Sequence, residues 1–526
     1  MASGVDKRRR SGKLRADMRR LTNISGITFA LYFLWKVSLL LFTSQSIPAN
    51  DAFFYDGPVV NYLLHGKYCN PSLAMVLPIS GNEVFCAYPP LHQAVLLGWM
   101  KCFGTSELAA MWFHLTLLAG FLLTVLQTFR QLKIPALAVN IAGLFLFGIT
   151  FHDRPDTLAH LLAALAVLAL VRGLPWATAV FLTLTFCTSL QIGGIYSLWL
   201  ALFIVSEAWL AKRPIPWAAA LSFVGVLAGL IALVKFGYPR LWEGFREHVV
   251  ITPSVTGLRV PHLDDVLKVV RSAPGILLVV TMLACLTIRW SALLNQLRTS
   301  AQLRLVASGS LAALALTCGC LFVLTSNTIL VASYLQPTIV GGFIALMTAE
   351  SSLGLKWRRT LHVLFLAAAM LVSIRAIGMT TWGALCHRDV NRSQALALVN
   401  QSLDAAPTNS TVFVSAAYLY NTAQRTNITW LHSDWATLAK EGNWELRAIT
   451  ERHPSRLLLT QFDYYRRYER IVSQFRRERG DVEVHITNTA RVQPPDAIPS
   501  MRKVVQHISW APVIVEFTWP STTETK

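Results

Sequence analysis

Apolar runs about 20 residues long recur from Ile27 to Met379, and each is long enough to cross a bilayer. A single water-soluble core has no use for so many uncharged stretches of that length. Composition agrees, because only 14% of the 526 residues are charged, against about 25% in soluble proteins. The expected fold class is therefore an α-helical polytopic membrane protein, with a water-exposed tail after Trp382.

Spans are placed at 25–45, 107–129, 135–151, 157–172, 175–190, 193–211, 214–235, 273–289, 304–325, 328–349 and 360–380. That makes about eleven, and an odd count puts the two termini on opposite sides of the membrane. With the N-terminus inside, the inner connections collect Arg130, Lys133, Arg172, Lys212, Arg213, Arg289, Arg298, Arg304, Lys356, Arg358 and Arg359. The first outer loop, 46–90, has only Lys67 against Asp51, Asp56 and Glu83. This is the positive-inside pattern. The formal charge of +19 follows the same logic: eight basic residues between Lys7 and Arg20 adjoin the first span. They fix its orientation rather than bind nucleic acid. No small-residue cleavage site follows, so the first span reads as retained.

Three parts result: a basic cytoplasmic segment 1–24, a transmembrane domain 25–382, and an extracytoplasmic domain 383–526. The last has β-like runs at Val412–Ser415, Arg456–Thr460, Val482–Ile486 and Val513–Thr518 between helical stretches, which suggests a small α/β domain. Residues 91–104 are apolar but too short to span, and read as an interfacial or re-entrant helix. The 175–211 stretch is one broken element or two spans around Gln191-Ile192-Gly193-Gly194, and the charge pattern requires two. Cys69 and Cys86 share the outer loop and point to a disulfide there. Cys102, Cys187, Cys285, Cys318 and Cys320 sit in apolar runs as small core residues, and no spacing resembles a zinc site.

Chemistry concentrates in that outer loop, where Asp51 and Asp56 stand among Phe53, Phe54 and Tyr55 just beyond the first span. A partly desolvated carboxylate there can act as a general base. Pro58 favours a short helix starting near Gly57 and ending at Gly66, which gives Asp56 the bland role of N-cap. Asp51 has no such local role and is the better candidate base. A second acidic point is Asp156, in His152-Asp153-Arg154-Pro155-Asp156-Thr157, either the cap of the next helix, with Pro155 setting the entry and the dipole favouring an acid there, or a functional acid.

The order and spacing of these residues resemble the GT-C membrane glycosyltransferases of the family-39-like group, which holds protein O-mannosyltransferases and the lipid A aminoarabinose transferase. The matching positions are Asp51, Tyr55, Gly66, Tyr88-Pro89-Pro90, Cys102-Phe103-Gly104, Arg154-Pro155-Asp156 and Ser333-Tyr334-Leu335-Gln336-Pro337. The chain departs from the pattern at Ala52, where Glu is frequent. Gln191-Ile192-Gly193-Gly194 replaces a Lys-Gly pair, and Ser333 stands where Arg is usual.

The resemblance implies inverting transfer from a polyprenyl-phosphate sugar to an acceptor hydroxyl of a lipid, polysaccharide or protein. The reaction would run on the extracytoplasmic face of a plasma or inner membrane. Asp51 would be the base and Asp156 its supporting acid. Tyr55, Asp56, Tyr88, Pro90, His92, Arg154, Arg246, His248, Tyr334 and Arg375 would contact substrate. Several have a plainer reading: Tyr55 and Tyr88 as interfacial anchors, His92 as an ordinary loop polar group, Arg375 snorkelling, and Arg246 and His248, with Arg240, on an amphipathic surface helix. No cofactor is assigned, and a divalent metal has no residue set behind it. The rival reading is a transporter or flippase of lipid-linked sugars, which would place ionisable groups near the midplane rather than on one outer face.

Overall fold

The computed structural model describes residues 26–43, 52–74, 77–147, 155–251, 260, 290–322, parts of 363–378, 392–426, 428–432, 444–488 and 511–520. The chain is mostly helical with one small sheet. Along the first half run α1 (Ile27–Ser38), α2 (Ala52–His65), α3 (Leu91–Phe103), α4 (Glu107–Gln131) and α5 (Ala136–Leu146). Next come α6 (Asp156–Val171), α7 (Pro175–Phe186), α8 (Leu190–Leu210), α9 (Trp217–Ala232), α10 (Pro239–Ile251) and α11 (Ala301–Phe322).

Among the described residues, three helical segments are long and apolar enough to cross a membrane: Glu107–Gln131, Leu190–Leu210 and Trp217–Gly237. Shorter apolar helices stand at Ile27–Leu41, Ala136–Leu146, Asp156–Val171, Pro175–Phe186 and Ala369–Gly378. Each falls on an expected span. The spans expected at 273–289 and 328–349 lie outside the described residues. Only 6% of the apolar window of Trp217–Gly237 is buried, and Leu221, Ile231 and Phe236 are exposed. So large an uncovered apolar face is tolerable only against lipid.

The connections follow from turn chemistry. Lys133, Gly173 and Lys212 take the left-handed conformation just past the ends of α4, α6 and α8, and Pro135, Pro175 and Pro216 open the helices that follow. Close packing needs small residues: a Cβ on Gly143 of α5 would lie 2.0 Å from the Thr28 hydroxyl of α1. That approach lets Thr28 donate to the Asn140 carbonyl at 2.8 Å, and the Gly26 N–H to Asn140 Oδ1 at 3.0 Å.

Two expectations are corrected here. The break between α7 and α8 is a turn at Cys187–Ser189, while Gln191-Ile192-Gly193-Gly194 lie in the first turns of α8. Ser189 caps that helix by accepting from the Ile192 N–H, so the polar cap and not the glycine pair sets the break. Cys69 and Cys86 are both free thiols. Asn61 donates to Cys69 Sγ at 3.4 Å, and Cys86 donates to the Val84 carbonyl at 3.3 Å, so the two sulfurs are engaged separately. Burial pushes both thiols up from their ordinary range.

After α12 (Arg392–Asp404) comes a mixed sheet of β1 (Ser410–Val414), β2 (Ile428–His432), β3 (Arg456–Thr460), β4 (Glu483–Asn488) and β5 (Pro512–Thr518). Its order is β2-β1-β3-β5-β4, parallel among the first three and antiparallel at β3–β5 and β5–β4. Helices α13 (Trp444–Arg452) and α14 (Glu469–Glu478) flank β3 in sequence, and Ile449, Val472 and Phe475 fill the core against one sheet face. The other face docks on the outer loop: Val412, Tyr418 and Leu419 share one buried cluster with Tyr55, Val59 and Leu158.

Candidate active site and its metal-competent core

The elements expected on one membrane face do meet. The Leu91 N–H, opening α3, donates to the Cys187 carbonyl at 3.0 Å in the α7–α8 turn. Arg240 of α10 grips Glu83 of the outer loop through Nε at 2.6 Å and Nη2 at 2.5 Å, which holds the Glu83 carboxyl below its usual range. Glu247 of α10 accepts from the Ile79 N–H. His65, closing α2, donates from Nε2 to the Ala423 carbonyl at 3.0 Å. Residues 52–74 and 77–103, the 187–189 turn, α10 and the sheet domain therefore pack together. Arg304, Glu207 and Arg213 form a separate cluster where α8 ends and α11 begins, with Arg304 Nε 2.5 Å from Glu207 Oε1.

α2 is longer than the sequence suggests, and this changes the role of Asp56. The helix opens at Ala52 and carries Pro58 inside it, so Asp56 is not its N-cap. Pro58 leaves only the Phe54 carbonyl without its helical donor, a loss tolerable so near the helix start. Gly66 ends the helix at φ +72, its N–H donating to the Tyr62 carbonyl at 2.9 Å. Asp56 is 1% exposed and accepts from the Tyr420 hydroxyl at 2.9 Å. A buried carboxylate is costly without such a donor.

On the same helix Tyr55 meets Tyr88 edge to face at 4.9 Å, and Tyr88 meets His248 of α10 at 5.3 Å. Phe54 joins this wall against Phe85, Tyr88 and His248. Burial lowers the His248 imidazole to about 4, so it is neutral at physiological pH. Tyr55, Asp56, Tyr88, His92 and His248 are thus gathered around α2. Pro90 is exposed at the start of α3. Asp156 lies half-buried in the first turn of α6, with Leu158 in the same buried cluster as Tyr55. Arg246 and Arg375 are exposed, outside that cluster. Asp51, Arg154 and Tyr334 lie outside the described residues.

Beneath the aromatic wall is a group that sequence reading did not assemble. Asp56 of α2, His92 of α3 and His114 of α4 bring one ligand-capable atom each within 4.8 Å of one another, all buried. The two imidazoles stack at 5.7 Å and 26°, and Phe113 borders both rings. All four ring nitrogens lack a hydrogen-bond partner among the described residues. Each unsatisfied buried donor costs about 1–3 kcal/mol. Burial, then the adjacent His114, keeps the His92 imidazole neutral, well below its usual range. The three residues come from three helices, so no local spacing betrays them; a polar His114 inside an apolar span was the available signal.

No protein-family profile matches the chain, and no curated protein matches it. Among solved structures it is similar to ArnT from Cupriavidus metallidurans in the apo state, at 13% identity over 93% of this chain and 97% of that one, with a TM-score of 0.45. It is also similar to the arabinofuranosyltransferase AftD from Mycobacteria, at 15% identity over 82% of this chain and 35% of that one, with a TM-score of 0.36.

Proposed function

We propose that this protein is an inverting membrane glycosyltransferase that uses a polyprenyl-phosphate sugar and works on the extracytoplasmic face. The observation that carries the reading is the aromatic cluster on α2, packed against the sheet domain. Tyr55, Tyr88 and His248 pack together directly after the Asp51 position, at the ends of apolar helices and under a docked sheet domain. Rings of this kind suit a sugar face, and the helix ends suit a donor whose lipid tail stays in the bilayer.

Lipid-linked phosphate is itself a competent leaving group, so no nucleotide-binding fold is needed. Asp51, one residue before α2, takes the proton of the acceptor hydroxyl as its oxygen attacks the anomeric carbon. A single base on one face of the sugar gives inversion, in contrast to the paired carboxylates of retaining enzymes. Asp156, at the positive end of α6, orients the acceptor. The exposed Arg246 and the Arg154 position are the cations available to the leaving phosphate. About eleven spans, with the N-terminus cytoplasmic, complete the architecture of this reading.

The test is incubation of the purified full chain with a panel of polyprenyl-phosphate sugars and hydroxyl acceptors. Transfer with inversion at the anomeric centre is the expected result. Movement of intact lipid-linked sugar across a vesicle membrane, without any bond cleavage, would establish the transporter reading in its place.

A further inference from the structure

We propose that Asp56, His92 and His114 form a binding site for one divalent transition-metal ion, with zinc the favoured occupant. The donor set carries this. Two imidazoles and one carboxylate suit zinc and its neighbours, while magnesium and calcium prefer all-oxygen shells. Zinc bonds of about 2.0–2.1 Å set tetrahedral ligand atoms about 3.3 Å apart. The three ligand atoms already lie within 4.8 Å of one another, so modest side-chain rotations complete the triangle.

The surroundings belong to a metal site and not to an ordinary polar core. Both histidines are more than nine-tenths buried, and neither ring has a hydrogen-bond partner among the described residues. A buried imidazole kept for structure is normally hydrogen-bonded. Tyr420 donates to Asp56 Oδ2 at 2.9 Å, the outer-shell contact that fixes a ligating carboxylate. Phe113 against both rings supplies the dry wall that strengthens such bonds. Three protein ligands leave a fourth position for water.

Placement gives the consequence. One ion would tie α2 to α3 and α4, and through Tyr420 to the sheet domain. The α2 helix begins one residue after Asp51, so the metal fixes the platform on which that residue stands. This inference does not depend on the proposed transfer reaction.

The experiment uses the full chain purified in detergent through a tag without histidines, loaded with zinc and dialysed against metal-free buffer. Elemental analysis should find about one zinc per chain, falling to background in His92→Ala and His114→Ala and lower in Asp56→Asn. Because these variants remove buried side chains, two readings on the wild-type protein stand beside them. Cobalt loading should give the visible absorption of a tetrahedral site, and chelation should lower the melting temperature until zinc restores it. Background zinc in the loaded wild type, or equal zinc in the wild type and a His92→Ala/His114→Ala double variant, overturns the site. Background zinc in a loaded wild type that still transfers sugar would sink the metal site alone, and bound metal without transfer would sink the proposed reaction alone.

Discussion

Asp56 shows how little a residue's neighbours in sequence reveal of its work. Its local context, before Gly57-Pro58, reads as a helix N-cap, yet it is a buried helical carboxylate held by Tyr420 from far along the chain. The hydrogen bond that decides its role is long-range, so no spacing rule reaches it. Glu207 is a comparable case in the membrane domain. It accepts from the buried Arg304 at 2.5 Å and is met by the more exposed Arg213 at 3.2 Å. Arg304 also donates to the carbonyls of Leu297 and Arg298. Removing one partner of such a pair leaves the other charge buried and uncompensated, at a cost of about 3–5 kcal/mol. Glu207→Ala should therefore lower the melting temperature of the detergent-solubilised protein sharply. Replacing Glu207 and Arg304 together by apolar residues of similar volume should recover much of the loss. A single variant as stable as the parent would show that the pair contributes little.

At the scale of elements, the apolar helices were legible because length and hydropathy alone define them. Their ends were legible where Gly or Pro punctuates, as at Gly173-Leu174-Pro175. α2 starts earlier than the sequence suggests: Pro58 points to a start near Gly57, whereas the helix opens at Ala52 and accepts Pro58 inside its second turn. β2, Ile428–His432, is an edge strand that the sequence reading does not place, and its parallel pairing with β1 supplies the order. The other four strands lie where short apolar runs announce them, within one or two residues. α10 matches the amphipathic surface helix read from Pro239 to His248. Arg240 pairs with Glu83 and Glu243 at the surface, about half exposed, while His248 packs on Tyr88.

Across the whole molecule, the charge asymmetry of the loops and the packing agree on which segments share a face. The segments read as outer are joined by Arg240–Glu83, Leu91–Cys187, His65–Ala423 and Tyr420–Asp56. Sequence placed these loops together through the count of spans, but the contacts that lock them required the fold. The proposed sidedness rests on the basic N-terminal segment and an odd number of spans: reporter tags after Met1 and after Lys526 should report opposite sides of the membrane. Both on the cytoplasmic side would move the aromatic wall of α2 away from any extracytoplasmic acceptor. The account as a whole turns on one carboxylate. Asp51→Asn keeps size and much of the hydrogen bonding while removing the base. Turnover per folded molecule should fall by about 10²–10⁴-fold, with donor binding and melting temperature close to the parent's. Turnover of Asp51→Asn within a few-fold of the parent would contradict the assignment.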